Sequence, residues 1–323
     1  MYDIVTVGEI LTEILAENKN QKFSEVGGTL LGGFPSGAPA IFIDQCAKMG
    51  AKTAIIAKVG SDDFGTMNLN RLKDDGVDIS GVKVTKDNVT GTAFVTYQSN
   101  GERSFIFHFA TAACGELCED DVKESFIVNS KYLHIMGCSI TGSPSMCKAI
   151  TKAVKIAKEN NVKISFDPNI RPELLKGSVL TVFKEILDNC DLLLSGKKEL
   201  EELFENVPFS LYKMLRKNKQ RIIVIKDGSN CTLVYTRKKS FKISTFPTIE
   251  VDATGAGDSF DGTFLTMLSN NESLEQATLY GNASGALAVS KKGPMEGNAH
   301  RDTIEELIRN NPNIKPIIIP ALR

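Results

Sequence analysis

The stretch Val251-Asp252-Ala253-Thr254-Gly255-Ala256-Gly257-Asp258-Ser259-Phe260 decides how the rest of the chain is read. Gly255, Ala256 and Gly257 carry little or no side chain, so the backbone here can approach a ligand closely. Apolar residues then recur at Phe260, Phe264, Leu265 and Leu268, the spacing of a helix. The glycines therefore stand where a loop enters a helix. The first amides of that helix lack intrahelical partners, and its dipole is positive at that end. Such an end binds anions, and a phosphate gaining charge in a transition state is stabilised there. Asp258 falls in the first turn, where the helix end favours its ionised form, ready to accept a proton. An anion hole beside a base is what phosphoryl transfer to an alcohol requires. A helix capped by Asp258 after a flexible turn accounts for the same residues without chemistry, so the motif alone leaves both readings open. No GxxxxGK[ST] occurs, which argues against a P-loop kinase. Phe260 occupies the last position of GxGxxG, which weakens a dinucleotide-binding reading.

Outward from this stretch, apolar runs read as buried strands at 4–7, 53–59, 132–136, 163–166, 192–194 and 221–225. Helical patterns lie between them, at 40–49 and at 145–160, where Met146, Ile150, Val154 and Ala157 share a face. The alternation predicts an α/β fold: a Rossmann-like, doubly wound, mostly parallel sheet covered on both faces. Two segments break the rhythm. Residues 90–109 hold alternating β segments around Asn100-Gly101, a hairpin signal. Residues 14–31 look extended or irregular. Together they are expected to form a small β lid inserted into a single domain spanning 1–323.

Bulk composition narrows the class without naming a reaction. The net charge of −1 offers no electrostatic reason to expect nucleic acid or an anionic membrane as partner. The seven cysteines are odd in number and irregularly spaced, with only three histidines beside them, which points away from a zinc site or disulfide framework. Free thiols and a cytoplasmic location are the expectation. The N-terminus lacks the pattern of a signal peptide.

Several further motifs now fall into place. Asp252–Asp258 resembles the C-terminal signature of the ribokinase/PfkB family of carbohydrate kinases. Gly8-Glu9-Ile10-Leu11 resembles the family's first strand. Gly32-Gly33-Phe34-Pro35-Ser36-Gly37-Ala38-Pro39-Ala40 resembles its glycine-pair motif, and Val59-Gly60-Ser61-Asp62-Asp63-Phe64-Gly65 its "VGxDxFG" turn. Asp167-Pro168-Asn169-Ile170-Arg171 resembles the "DPNxR" of fructokinase-like and 2-keto-3-deoxygluconate-kinase-like members. The motifs occur in family order across nearly the whole chain.

The resemblance implies a ribokinase-like fold, ATP as phosphoryl donor, Mg²⁺ and, in members that use one, a monovalent cation such as K⁺. It implies that Asp258 is the base, that the amides of Gly255, Ala256 and Gly257 form the anion hole, and that Asp252 and the backbone near Thr254 hold the monovalent cation. Glu199 matches the glutamate of the family's "NxxE" motif, which organises water around Mg²⁺ and phosphate; it also opens a helix, where a carboxylate is favourable in any case. Gly32 and Gly33 are expected to let the backbone approach sugar hydroxyls. Arg171 offers a fork of donors for substrate or phosphate. Lys226, before Asp227-Gly228, meets nucleotide phosphate or is simply solvated. Asn282 either passes near adenine or makes a helix-packing hydrogen bond. His108, in the expected lid, faces the sugar or solvent.

The chain departs from the family at the substrate end. Glu13 replaces the usual aspartate after the first strand. Gly37 and Gly196 replace asparagines of the glycine-pair and "NxxE" motifs. The resulting expectation is transfer of the ATP γ-phosphoryl group to a primary hydroxyl of a ketohexose of the fructose or tagatose type. 2-Keto-3-deoxygluconate is the alternative acceptor. A non-catalytic sugar-binding or regulatory protein on a kinase fold and a nucleotide-sugar or NAD-dependent enzyme are the alternatives of other classes. A homodimer through the lid follows from family behaviour and from the exposed β face such a lid would present.

Overall fold

A computed structural model describes residues 1–99, 103–170, 179–218 and 221–322. A ten-stranded sheet forms its spine. Across that sheet the strands run Ile317–Ile318, Ser240–Ser244, Cys231–Tyr235, Ile222–Asp227, Leu192–Gly196, Lys163–Asp167, Ser130–Met136, Tyr2–Val7, Thr53–Gly60 and Val82–Thr85. From Ile222–Asp227 to Val82–Thr85 all neighbours are parallel; beyond Ile222–Asp227 the edge continues antiparallel. The central strands are apolar on both faces because helices cover both, and Thr53–Gly60 is buried throughout. Alternation along a strand divides the core. Ile4, Ile55, Leu194 and Val224 pack under helices Ala38–Lys48, Ala256–Ser269 and Leu274–Ala288. Val5, Leu133, Phe166 and Ile223 pack with helices Pro144–Glu159 and Val179–Asn189 on the other side.

Strand order reverses between Tyr2–Val7 and Ser130–Met136, so a crevice opens at the carboxyl ends of the strands there. Over that crevice lies a second, four-stranded sheet in the order Leu30–Ser36, Leu11–Ala16, Gly91–Tyr97, Arg103–His108. It differs from the sequence reading in its bounds. It begins at Leu11 because the chain leaves the first strand after Gly8 and immediately pairs again. It also takes in the glycine-pair segment, which pairs antiparallel with Leu11–Ala16 through a register shift at Glu13/Ile14. The expected hairpin is present as the antiparallel pair Gly91–Tyr97 and Arg103–His108; its Asn100-Gly101 turn lies outside the described residues. The antiparallel edge strands after Ile222–Asp227 were not read from the sequence. Among the described residues, no helix is long and apolar enough to cross a membrane.

Candidate active site

Residues after Tyr2–Val7, the ends of Lys163–Asp167, Leu192–Gly196 and Ile222–Asp227, and the start of helix Ala256–Ser269 converge on one cavity of about 380 Å³. Gly255 caps that helix in the left-handed conformation, φ 81°. A Cβ there would also lie 2.3 Å from the Pro294 carbonyl oxygen, so only glycine turns the chain into the helix at this point. Gly255, Gly257 and Asp258 line the cavity; Ala256 is in the same turn but outside the lining. The Asp258 side chain, 7% exposed, accepts a 3.2 Å hydrogen bond from Asn169 Nδ2. Asn169 has φ 39°, held by a 2.9 Å bond from its N–H to Asp167 Oδ1. The turn following Lys163–Asp167 thus aims an amide at the carboxylate of the helix start.

Beside them lies a buried charge cluster. Lys226 Nζ sits 3.0 Å from Asp167 Oδ2 and 3.0 and 2.9 Å from the two carboxyl oxygens of Asp261. Burial works against the ammonium, but the charges of Asp167 and Asp261 outweigh it and raise the Lys226 pKa. Burial also pushes the Asp167 carboxyl up, yet the Lys226 charge brings the net shift down. Asp261 goes the other way: burial dominates and raises it. One ammonium therefore serves two carboxyl groups, whose pKa values are driven in opposite directions. Lys226 lines the cavity and is not simply solvated, the second of its two expected roles, because its ammonium is held by Asp167 and by Asp261 of helix Ala256–Ser269. Glu199 closes the cluster's edge. Its carboxylate takes the Gly196 N–H at 2.7 Å, the Ser195 hydroxyl at 3.1 Å and the Ile170 N–H at 3.1 Å. Burial first, then the Asp167 charge, raise its pKa.

At the other end Glu13 lines the cavity at 3% exposure and accepts a 3.3 Å bond from Ser36 Oγ. Gly37 and Gly228 also line it. Glu9, not singled out from the sequence, is 2% exposed and faces the same space, accepting from Ser139 Oγ and from Cys138 Sγ at 3.3 Å. Its signal was an acid two residues beyond the end of a largely apolar strand. Phe105, Phe107 and Arg103 are further lining residues that sequence reasoning missed.

Several expected site residues lie elsewhere. His108 is exposed: on strand Arg103–His108 the residues 103, 105 and 107 face the cavity, so 104, 106 and 108 face away. Gly32 and Gly33 do not line the cavity. Gly33 lets its strand lie against Thr12, whose Cγ2 would be 2.3 Å from an added Cβ, and at Gly32 a Cβ would meet the Glu13 carbonyl oxygen at 2.8 Å, so both glycines serve strand packing. Asn282 also stays out of the lining: its amide bonds Thr232 Oγ1 at 2.6 Å and the Ile243 and Ser244 carbonyls at 3.2 Å, the helix-packing role. Arg171 lies outside the described residues. Asp252 is behind the lining, 2% exposed, and holds the Thr254 N–H at 2.9 Å and the Gly293 N–H at 3.0 Å. Thr254 lines the cavity.

Comparison with known proteins matches residues 2–301 to the model of the pfkB family of carbohydrate kinases. "Probable fructokinase-5" of Arabidopsis thaliana is 32% identical over 306 residues, covering 90% of this chain and 92% of the relative. A 5-dehydro-2-deoxygluconokinase of Listeria monocytogenes is 28% identical over 314 residues, covering 95% and 96%. Among solved structures, an E. coli chain provisionally named ribokinase II, in complex with ATP and Mg²⁺, superposes with a TM-score of 0.91 at 38% identity, covering 96% of this chain and 100% of that one. The fructokinase of Vibrio cholerae O395 with fructose, ADP and calcium ion follows at TM-score 0.82 and 25% identity, covering 95% and 99%.

Proposed function

The chain belongs to the pfkB family of carbohydrate kinases and is a sugar kinase, and we propose that it transfers the γ-phosphoryl group of ATP to a primary hydroxyl of a ketohexose of the fructose or tagatose type. The observation that carries this reading is Asp258, fixed by Asn169 in the first turn of a helix whose glycine-opened start faces the cavity. The sugar hydroxyl gives its proton to the Asp258 carboxylate while its oxygen bonds to the γ-phosphorus. The bond from the bridging oxygen to that phosphorus breaks, and its electron pair leaves with ADP. Amides at Gly255–Gly257 receive the negative charge on the transferring group. Fructokinases among the relatives and a fructose-bound neighbour support the ketohexose class.

The acids at the cavity suit magnesium carried by the nucleotide. Among the described residues no group of three or more ligands could hold an ion alone. The hard carboxylates of Asp167 and Glu199 instead face the space where phosphates and metal-bound waters would lie. When bound, the ion neutralises phosphate charge; the protein's part is to orient those waters. For a monovalent cation Asp252 and Thr254 are the candidates. Tyr97, Thr254 and Gly293 already donate three hydrogen bonds to the Asp252 carboxylate, which has about four lone-pair sites, so one is left.

In the same proposal the chain is one kinase domain and the smaller sheet is its lid, closing over the sugar to exclude water. Ile14, Phe94 and Ile106 stand in register across its outer face, an apolar stripe that suits a lid-to-lid dimer. Seven free thiols suit a cytoplasmic setting. The test is ADP release from Mg-ATP with fructose, tagatose, 2-keto-3-deoxygluconate, ribose and adenosine, in potassium and in tetramethylammonium salts, with Asp258→Asn in parallel. One ketohexose standing out, with the variant at least about 1000-fold slower, is the expected result. An Asp258→Asn protein as fast as the wild type refutes the assignment of the base.

A further inference from the structure

The turn motif at 59–65 opens helix Asp63–Asp74, which buries Gly65, Asn68 and Leu72 along one face. Spacings of three and four are those of an apolar stripe, so position 68 would ordinarily carry an apolar side chain. An asparagine stands there instead, 0% exposed. Burying a carboxamide costs free energy that hydrogen bonds must offset, and Asn68 directs two of them at the smaller sheet. Its Oδ1 accepts the Ser36 N–H at 3.3 Å, and its Nδ2 donates to Thr12 Oγ1 at 3.0 Å and to the Phe64 carbonyl at 2.9 Å. An N–H on one side and a carbonyl on the other fix which way the amide faces. Ser36 and Thr12 lie on the two strands that pair at this end of the sheet, Leu30–Ser36 at its edge and Leu11–Ala16 beside it.

Asn68 lies outside the cavity lining, while Ser36 and Glu13 are part of it. The Ser36 hydroxyl donates to the Glu13 carboxylate at 3.3 Å, and Thr12 is the residue before Glu13. Contacts therefore run from the helix to the acid on both sides of it. Two departures of this chain raise the value of such support. Glutamate has one torsion more than the aspartate it replaces, and a carboxylate free to turn must be ordered when the acceptor binds. The motif's asparagine is also absent. Gly37 has φ 106°, and a Cβ there would lie 2.7 Å from the Glu9 carbonyl oxygen, so this backbone excludes a side chain. Acceptor contact then falls more heavily on Glu13. The helix that carries Asn68 is itself anchored. Its cap, Asp62, accepts the Gly65 N–H at 2.8 Å, the Thr90 N–H at 2.7 Å and the Thr90 hydroxyl at 2.8 Å. Thr90 leads into strand Gly91–Tyr97, whose Ala93 pairs with Glu13.

We infer that Asn68 is a positioning residue for the acceptor: from outside the cavity, its carboxamide fixes Ser36 and Thr12, and through them the place of the Glu13 carboxylate. The inference rests on the sugar-kinase reading above and adds to it a residue that touches no reactant.

Two measurements on the full chain test it. Asn68→Leu nearly keeps the volume and removes the hydrogen bonds, which separates positioning from packing. The first measurement is kcat and KM for the ketohexose and for ATP in the wild type, Asn68→Leu, Asn68→Ala, Ser36→Ala and Ser36→Ala/Asn68→Leu. Asn68→Leu should raise the ketohexose KM about 10-fold or more and leave the ATP KM unchanged. Ser36→Ala cuts one link to Glu13, so adding Asn68→Leu to it should cost less than Asn68→Leu costs alone. An Asn68→Leu protein with wild-type ketohexose KM, a loss shared equally by ATP and ketohexose, or two effects that simply multiply would each overturn the inference. The second measurement needs no acceptor: crystal structures of the unliganded wild type and Asn68→Leu. The Glu13 carboxylate should sit on Ser36 in the wild type and be displaced, or adopt more than one rotamer, in the variant. One and the same placement in both overturns the inference. If Asn68→Leu does not fold, Asn68→Ala and Ser36→Ala take its place in both measurements. A displaced Glu13 in the variant, with no ketohexose turned over by the wild type, would retain the inference and remove the ketohexose reading.

Discussion

Replacing Lys226 by methionine removes the cation that two buried carboxylates share while nearly preserving side-chain volume. Asp167 and Asp261 are 3% and 0% exposed, and Lys226 Nζ lies 3.0 and 2.9 Å from them. Removing one partner of a buried ion pair costs about 3–5 kcal/mol, because the remaining charge is left without compensation in a poorly polarisable interior. The pH dependence gives a sharper signature than the magnitude. In the wild type the Asp167 pKa is depressed, so its contribution is present above the ordinary aspartate range and is lost only as pH falls through the folded value. In Lys226→Met burial loses its main opponent, the Lys226 charge, and the same carboxyl is raised. The folded variant then takes up a proton that the unfolded chain lacks, and its stability is lost as pH rises. The gap between wild type and variant should therefore narrow on acidification, by about 1.4 kcal/mol per pH unit while the pH lies between the unfolded and the raised folded value. Urea unfolding of both proteins at pH 8, 7 and 6 measures it. Lys226→Met/Asp167→Asn should recover part of the loss at pH 8 and have the shallower dependence. A loss below about 1 kcal/mol at pH 8, or a gap that does not vary with pH, would refute the view of the cluster as two acids dependent on one ammonium.

Two other predictions concern residues the family motifs do not explain by themselves. Asn169→Ala removes the amide that donates to Asp258 Oδ1 at 3.2 Å, so steady-state assays should show kcat down about 10- to 100-fold with the fold intact by circular dichroism. His134 is wholly buried, stacked on Phe42 at 3.8 Å and bonded to Ser165 Oγ at 3.0 Å, and burial lowers its pKa to about 3. The unfolded chain then binds a proton below about pH 6.5 that the folded chain refuses, so this group should cost about 3 kcal/mol of stability between pH 7 and pH 4. Chemical denaturation across that range should show the acid limb flattened in His134→Gln.

The parallel sheet was legible because buried strands and the helices between them carry unlike periodicities. The runs at 53–59 and 132–136 stand out as apolar on both faces. The helix start at Gly255 was legible for a local reason as well: three small residues before an apolar 3.6-residue pattern have few other structural explanations. What escaped was set by contacts distant in sequence. Alternation in Arg103-Ser104-Phe105-Ile106-Phe107-His108 separates two faces, but nothing within the segment says which one turns inward. That choice is made by pairing with Gly91–Tyr97 and by Tyr97 reaching Asp252, 155 residues away. Hence His108, attractive as the imidazole of the segment, points outward, while Arg103 and both phenylalanines point in. The glycine pair lies outside the cavity lining for a similar reason: a motif specifies a backbone able to come close to something, and here the neighbours are the Glu13 carbonyl for Gly32 and Thr12 for Gly33, on the adjoining strand. Lys226 shows the converse. As a lysine ahead of Asp-Gly it reads as a phosphate ligand or a solvated strand end, and only folding brings in Asp261, 35 residues on, and Asp167, 59 residues back.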